Sequence, residues 1–247
     1  MFFQTDPGAS WAGSIAACME YPHNRPYTAD DLVRIITLLR DPVNGCPWDK
    51  VQTHTSIRMN FLEEAYEAVD ALDLDDPVLM CEELGDVLMQ VAFHTCMEQE
   101  TGRFTWEQVC DGVCQKLIER HPNIFGTQPG YEGITDWDAL KNKEKGRRTL
   151  ADDLESVPRA MPALMRAAKL QKRAARHGAA LQGADAAALA DAAEHLQTAQ
   201  PASAQAEQAV GELLFAAANL ARQAGVDPEQ ALQKANEAFC TAAGPVA

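Results

Sequence analysis

Two pairs of acidic residues flank one short break in the first half of the chain. Glu64 and Glu67 lie in the run LEEAYEAVDAL, and Glu83 and Asp86 lie in the run CEELGDVLMQVAFH. In a helix, a spacing of three residues places both carboxylates of a pair on one face. Four carboxylates that converge in this way form a site for a divalent cation. Oxygen ligands without His or Cys favour Mg²⁺ or Mn²⁺ over zinc.

The break between the two runs predicts an antiparallel pair of helices. It ends at Pro77, which cannot continue a helix from the residues before it. The inner carboxylates, Glu67 and Glu83, each lie eight residues from Asp75, and the outer two each lie eleven residues from it. With a rise of about 1.5 Å per residue, the mirrored partners fall at equal heights, about 12 and 16 Å from the turn.

The alternative to a metal site is an ordinary solvated face, since acidic pairs at this spacing are common. The residues around the carboxylates are apolar, however, which predicts helices that are largely buried. Buried carboxylates need a counter-charge or a metal, and no Lys or Arg lies between Met59 and Glu100. Two like charges about 4 Å apart repel by about 4 kcal/mol at an effective dielectric of about 20. We therefore expect the four carboxylates to be buried around a metal ion.

The composition of the chain indicates its fold class and excludes some classes of binding partner. A chain of 247 residues holds one or two domains, and runs typical of strands are almost absent, which predicts an all-α protein. The net charge of −15 argues against a general binder of nucleic acid or of membrane surfaces. Seven cysteines without metal-ligand spacing, no secretory signal and no apolar run of membrane-spanning length predict a soluble, cytoplasmic protein.

Helix signals define the elements that must position the carboxylates. A first helix is expected to start near Thr28 or Asp30 and to stop before Asp41, where a loop with Pro and Gly begins. The next two helices are predicted over about 53–72 and 77–100. Gly102 is expected to end the third helix, and Thr105 to cap a fourth that runs from Trp106 to about Arg120.

The second half of the chain repeats the pattern of the first. The run GELLFAAANLARQAG, from Gly211, matches GDVLMQVAFHTCMEQ, from Gly85. Asp191 and Glu212 are mirrored about the next break, as are Glu194 and Ala209, so one carboxylate of the four is replaced by alanine. The predicted organisation is a tail (1–27), a first helical domain (28–126), a basic connector with a short helix (127–150) and a degenerate second domain (151–247).

Several motifs in this order resemble the MazG family of nucleoside triphosphate pyrophosphohydrolases. The family pattern EExxE followed by ExxD is present at 63–67 and 83–86, with GCPWD at 45–49, ERHPNIFG at 119–126 and PALMRAAKLQKRAARHG at 162–178. The resemblance implies an all-α fold in which hairpins from two protomers form a four-helix bundle, so a homodimer is expected. It also implies hydrolysis of a nucleoside triphosphate between the α and β phosphates, which yields the monophosphate and pyrophosphate.

Carried over by position, the resemblance implies that the four mirrored carboxylates hold Mg²⁺ or Mn²⁺ and serve catalysis, with one of them taking a proton from water. Glu63 and Glu82 flank this set.

Candidate substrate contacts each have an alternative role. Lys116 and Arg120 contact phosphate or form an exposed, dipole-compatible helix end, and Trp48 stacks on the base or anchors its loop. Four basic residues fold over the phosphates or form a solvated helix: Lys141, Lys145, Arg147 and Arg148.

The second domain departs from the family pattern at the other matching positions as well. Leu181 occupies the place of Trp48, and Ala238 and Ala242 occupy those of the basic pair on the fourth helix. These changes predict an inactive copy retained for packing, dimerisation or regulation.

Two other readings of the carboxylates are open. A di-iron carboxylate bundle requires Glu-x-x-His on two helices, and neither run of the hairpin contains that motif. A non-catalytic helical dimer that binds a nucleotide or a protein partner is the second alternative.

Overall fold

The computed structural model describes residues 26–122, 124–126, 144–146 and 149–244, and within these ranges the chain forms helices and loops without a β-strand. The predicted all-α class is thus confirmed for the described residues. Nearly all of the predicted N-terminal tail and most of the predicted connector lie outside them. None of the helices in the described ranges is both long and apolar enough to cross a lipid bilayer. The six cysteines in those ranges form no disulfide with one another.

The chain divides into two compact units, residues 1–133 and residues 134–247, and the division falls within the predicted connector. Within the described ranges, the first unit contains four α-helices and a 3-10 turn at Asp49–Val51. The helices are α1 (Ala29–Leu39), α2 (Arg58–Asp73), α3 (Pro77–Glu100) and α4 (Trp106–Arg120). The described residues of the second unit form five: α5 (Leu150–Glu155), α6 (Ala163–Arg176), α7 (Ala186–Thr198), α8 (Ala204–Gln223) and α9 (Pro228–Ala243).

Side-chain caps explain where the helices of the first unit begin. Thr28 and Thr105 each accept a hydrogen bond from the third residue of the following helix, and that residue bonds back to the cap. The predicted cap at Thr105 is therefore confirmed. Asp76 accepts from two backbone N–H groups of α3, and Pro77 occupies the first helical position, where no N–H is needed. Gly102 follows α3 with a φ of 69°, a conformation that favours glycine.

The start of α2 differs from the prediction, because α2 begins at Arg58 and not near residue 53. The side chains of Thr53 and Ser56 each accept a hydrogen bond from the other's backbone N–H, at 3.2 and 2.9 Å. The Ser56 hydroxyl also donates to the side chain of Gln52 at 2.7 Å. Such local side-chain bonds offer the backbone an alternative to helix. The segment before Arg58 is therefore a turn.

Helix α3 is central to the first unit and packs against α1, α2 and α4. Its buried residues Ala92, Phe93, Cys96 and Met97 form the core together with residues from α1, from α4 and from the segment before α2. Those are Val33, Ile36, Ile57 and Trp106. This packing leaves the N-terminal half of α3, where the acidic residues lie, beside α2.

The second unit also contains an antiparallel hairpin, formed by α7 and α8, against which α6 packs. In both hairpins a non-glycine residue with positive φ precedes the cap of the second helix: Asp75 at 55° and Ala202 at 56°. Buried amides help to hold this unit, since Gln171 donates to the carbonyl of Phe215 at 2.8 Å and Asn219 to that of Ala184 at 2.6 Å. The two helical hairpins thus turn in the same way.

Candidate active site

One stripe of α2 faces α3 and contains the most buried acidic side chain of the hairpin. Glu64, Ala68 and Ala71 are the buried residues of α2, spaced four and three apart on one face. The two small side chains allow α3 to pack closely along this stripe. Glu64 is therefore held at the helix interface with 2% of its surface exposed.

Three of the four predicted ligands meet at this interface. Oxygen atoms of Glu64, Glu83 and Asp86 lie within 4.8 Å of one another, Glu64 buried and the other two half-buried. Among the described residues, no other group of three or more acidic, His or Cys side chains is this compact. The mirror relation about Asp75 therefore brings residues of the two helices together as predicted.

Glu67 lies at the edge of this group. Its side chain is exposed, and its charge contributes to the raised pKa of Glu64. The expectation that all four carboxylates are buried is wrong for the single chain, because only Glu64 is buried. The physical reason is position on α2, since Glu67 is 300° around the helix from Glu64, at 100° per residue, and so falls beside the buried stripe.

The electrostatics of the group favour a bound cation. The pKa of Glu64 is raised to about 7, first by burial and then by the charges of Asp86, Glu67 and Glu83. The pKa of Glu83 is also raised, first by desolvation and then by Glu67 and Asp86. No Lys or Arg of the described ranges forms an ion pair with these groups. A compact set of carboxylate oxygens with no Lys or Arg partner among the described residues fits Mg²⁺ or Mn²⁺.

The other predicted site residues are not part of this group. Lys116 is exposed and Arg120 half-buried, one turn apart on α4, and Trp48 is 48% exposed just before the 3-10 turn. Lys145 is exposed and belongs to the second unit. Three predicted phosphate contacts lie outside the described residues: Lys141, Arg147 and Arg148. The roles of all these side chains stay predictions.

A second polar cluster at the other end of α3 was missed by the sequence reasoning. Glu98, which is 7% exposed, pairs with His54 and with Arg103, both at 2.6 Å. The Nδ1 atoms of His54 and His94 lie 2.7 Å apart. Burial and then the nearby His54 lower the pKa of His94. The cluster joins the segment before α2 to the end of α3.

The signal for this cluster is present in the sequence of α3. Asp86, Gln90, His94 and Glu98 recur every four residues, which places polar side chains along one face of an otherwise apolar helix. Gln90 is buried, and its Oε1 has no hydrogen-bond partner among the described residues. A polar line of this kind within a core helix would have indicated a buried polar interface.

The hairpin of the second unit forms no comparable carboxylate group among the residues that the structure describes. Asp191, Glu194 and Glu212 are all exposed, and Glu212 accepts a hydrogen bond from Gln208 at 2.8 Å. Ala209, at the position where the mirror relation expects a fourth carboxylate, is 2% exposed. A small, buried alanine side chain thus stands where a carboxylate would be needed.

Comparison with known proteins shows what kind of protein carries this arrangement. The family model described as "MazG nucleotide pyrophosphohydrolase domain" matches residues 52–125, which include the carboxylate hairpin. The nucleoside triphosphate pyrophosphohydrolase of Escherichia coli (strain K12) is 41% identical over 219 residues, covering 85% of this chain and 83% of the relative. The chain belongs to the MazG family of nucleoside triphosphate pyrophosphohydrolases. The predicted family is thereby confirmed.

Other MazG relatives differ in how much of their length they share with this chain. The "Nucleoside triphosphate pyrophosphohydrolase/pyrophosphatase MazG" of Thermotoga maritima is 39% identical over 212 residues, 85% of this chain and 82% of the relative. The nucleoside triphosphate pyrophosphohydrolase of Mycobacterium tuberculosis is 35% identical over 151 residues, 60% of this chain and 46% of the relative. The MazG family model itself covers residues of the first unit alone.

Proposed function

We propose that the first unit hydrolyses nucleoside triphosphates to the monophosphate and pyrophosphate and that it requires Mg²⁺ or Mn²⁺. The observation that carries the proposal is the compact group of Glu64, Glu83 and Asp86 within the segment that the family model matches. The names of the Escherichia coli and Thermotoga maritima relatives support the reaction. The metal requirement is supported by the absence of a Lys or Arg ion pair with this group among the described residues.

Each carboxylate has a distinct place in this proposal. Glu64, Glu83 and Asp86 would hold the metal, which when bound polarises phosphoryl oxygens and lowers the pKa of water. Glu67 is exposed and lies at the edge of the group, where its charge acts on Glu64, so it is the member of the set placed to take a proton from an attacking water. Lys116, Arg120 and Lys145 are proposed to neutralise phosphate charge, and Trp48 to stack on the base. Lys141 is proposed for the same role as Lys145.

Product analysis on a panel of ribo- and deoxyribonucleoside triphosphates tests the reaction. We expect monophosphate and pyrophosphate, formed with Mg²⁺ and lost with chelator. Diphosphate and phosphate would contradict cleavage at the α phosphorus. Absence of turnover on every triphosphate would favour the non-catalytic alternative, a helical protein that binds nucleotide or a protein partner. Inclusion of both sugars and several bases ranks the substrates in the same experiment.

We propose that the second unit is an inactive copy that serves packing, dimerisation or regulation. Its exposed acidic residues and the buried Ala209 support this view, as does the family model, which ends before it. The hairpin of the second unit keeps the turn geometry of the first without the ligand set. Catalysis is therefore assigned to the first unit.

We propose that two copies pair through the α2–α3 hairpin to complete a four-helix bundle. Both helices of the hairpin expose large apolar side chains, and neighbouring exposed apolar residues of this kind mark interaction surfaces. These residues are Met59, Tyr66, Val69, Leu72, Val78, Leu84 and Leu88, between 39% and 76% exposed. The prediction that apolar helices in this hairpin are largely buried is wrong for the single chain, and a second copy would cover them.

The variant Val69→Glu is expected to convert a dimer into a monomer, because it places a charge on the proposed contact face of α2. Light scattering after size-exclusion chromatography measures the mass directly. The wild type should have twice the mass of the chain and the variant the mass of one chain. Val43→Glu, at a loop valine that is 77% exposed, serves as the matched control. A monomeric wild type would refute the proposed pairing.

A further inference from the structure

We propose that Arg40 is a positioning residue that fixes the loop carrying Trp48, and that it thereby sets the affinity for the nucleoside part of the substrate. The inference rests on the proposed function, in which Trp48 contacts the base. Arg40 follows the last residue of α1 and is 9% exposed. It lies outside the acidic motif and outside the segment matched by the family model.

The contacts of Arg40 use both edges and one face of the guanidinium group. On one edge, Nε and Nη2 donate to the carboxylate of Glu100 at 2.5 and 2.8 Å. On the other, Nη1 donates to the backbone carbonyls of Asp49 and Gln52 at 2.7 and 3.2 Å. The guanidinium carbon lies 5.3 Å from the ring centroid of Phe93, a cation–π contact. One buried side chain thus joins the loop to the end of α3.

One carbonyl bound by Arg40 belongs to Asp49, which begins the 3-10 turn directly after Trp48, and the other belongs to Gln52, which follows that turn. On the other side of Trp48, the N–H of Cys46 donates to the carbonyl of Leu39 at 2.8 Å. The backbone of the loop is therefore anchored before and after the tryptophan. Trp48 is nevertheless 48% exposed. A fixed backbone with an exposed aromatic side chain suits stacking on a base, because little conformational freedom is lost on binding.

Gly45 shows how closely this loop approaches the end of α1. A Cβ atom at Gly45 would lie 2.4 Å from the carbonyl oxygen of Asp41 and 2.5 Å from that of Leu39. Only glycine permits this approach, so the loop begins from a tightly defined position. Arg40 holds the other end of the loop, and its partner Glu100 belongs to the same helix as Glu83 and Asp86. The loop that carries the proposed base contact is therefore anchored to the same helix that carries two of the proposed metal ligands.

The test is a double-mutant cycle of Arg40→Lys and Trp48→Ala, because lysine retains the charge but lacks the planar fork. Each single variant is expected to raise KM for a nucleoside triphosphate about tenfold, in the range of one lost base-stacking contact, with kcat within about threefold of the wild type. The double variant should be no worse than either single variant, since both changes remove the same contact. The Kd for an α,β-methylene triphosphate analogue should rise in parallel.

Controls separate positioning from a merely structural role. Arg34→Lys, at an exposed position of the same helix, should leave KM unchanged. Should Arg40→Lys not fold, Glu100→Gln replaces it, and a smaller rise in KM is expected because the bonds from Nη1 to the loop carbonyls remain. Additive effects in the cycle, unchanged KM in the available Arg40 or Glu100 variant, or an unaffected Trp48→Ala would overturn the proposal.

The readouts also distinguish this inference from the proposed function. A wild type that turns over no triphosphate contradicts the proposed reaction, and the analogue Kd values still decide the role of Arg40. An active wild type with wild-type KM in Arg40→Lys contradicts the positioning role alone.

Discussion

Glu64→Gln is expected to lower kcat/KM for nucleoside triphosphates by about a thousandfold or more, with the helical fold retained. The substitution removes the buried carboxylate from the three-residue group. A catalytic metal supplies several kcal/mol of transition-state stabilisation, and about 4 kcal/mol corresponds to about a thousandfold in rate. Steady-state assay of pyrophosphate release measures the effect, and circular dichroism reports the helix content.

Asp191→Asn is the matched control for this variant. The mirror relation of the second hairpin gives Asp191 the place that Glu64 has in the first, but Asp191 is exposed and outside any compact carboxylate group of the described residues. We expect wild-type kcat/KM for Asp191→Asn. Equal losses in the two variants would refute the assignment of catalysis to the first unit, and activity retained in Glu64→Gln would refute the proposed ligand set.

The Mg²⁺ affinity of the protein is expected to be about tenfold higher at pH 8 than at pH 6. Because the pKa of Glu64 is raised to about 7, the group is mostly protonated at pH 6 and mostly ionised at pH 8. Metal ligands must be deprotonated, so the proton and the metal compete. With a pKa of about 7, the ionised fraction changes about tenfold between the two pH values. Isothermal titration calorimetry measures both affinities.

Proton release provides an internal check on this prediction. Titrations at pH 7 in two buffers with different ionisation enthalpies should show that Mg²⁺ binding releases a fraction of a proton. Glu64→Gln should bind Mg²⁺ more weakly, with less dependence on pH. Equal wild-type affinities at pH 6 and pH 8, without proton release, would show that Glu64 does not exchange a proton for the metal.

The same shift determines how the stability of the metal-free protein depends on pH. The pKa of Glu64 is higher in the folded chain than the ordinary value of 4.5, so the folded state binds this proton more tightly than the unfolded state. The contribution of Glu64 to the free energy of unfolding is therefore most favourable below about pH 4.5 and is lost as the pH rises through about 7. The loss is at most about 3.5 kcal/mol, from about 1.4 kcal/mol for each of the about 2.5 pKa units between 4.5 and about 7. Bound Mg²⁺ should restore the stability that is lost when Glu64 ionises.

The carboxylate hairpin was predictable from the sequence because its determinants are local. Asp76 caps α3 and Pro77 occupies its first position, and these residue types mark a helix start in any context. Residue counting about Asp75 then places Glu64 and Asp86 at the same height, since the rise per residue is constant. The sequence predicted that four carboxylates converge, and the structure brings together three of them, Glu64, Glu83 and Asp86.

Local reasoning could not predict how burial divides the four carboxylates. Glu64 and Glu67 have the same chemistry and lie within one turn, yet one is buried and the other exposed. The difference depends on the angle at which α3 crosses α2 and on the closeness allowed by Ala68 and Ala71. The same information was needed for the pKa of Glu64, because desolvation is the largest cause of its shift.

The sequence by itself determined the all-α class, the helix caps, the turn at Asp75 and the candidate carboxylates, because each depends on neighbouring residues and on a fixed helical period. Only the tertiary structure decided which carboxylate is buried and which side chains hold the Trp48 loop. Arg40 and Glu100 are 60 residues apart in the chain, and His54 and His94 are 40 apart. Contacts between such distant residues arise from packing, and the four-residue spacing in α3 marks a polar face without identifying the residues that it contacts.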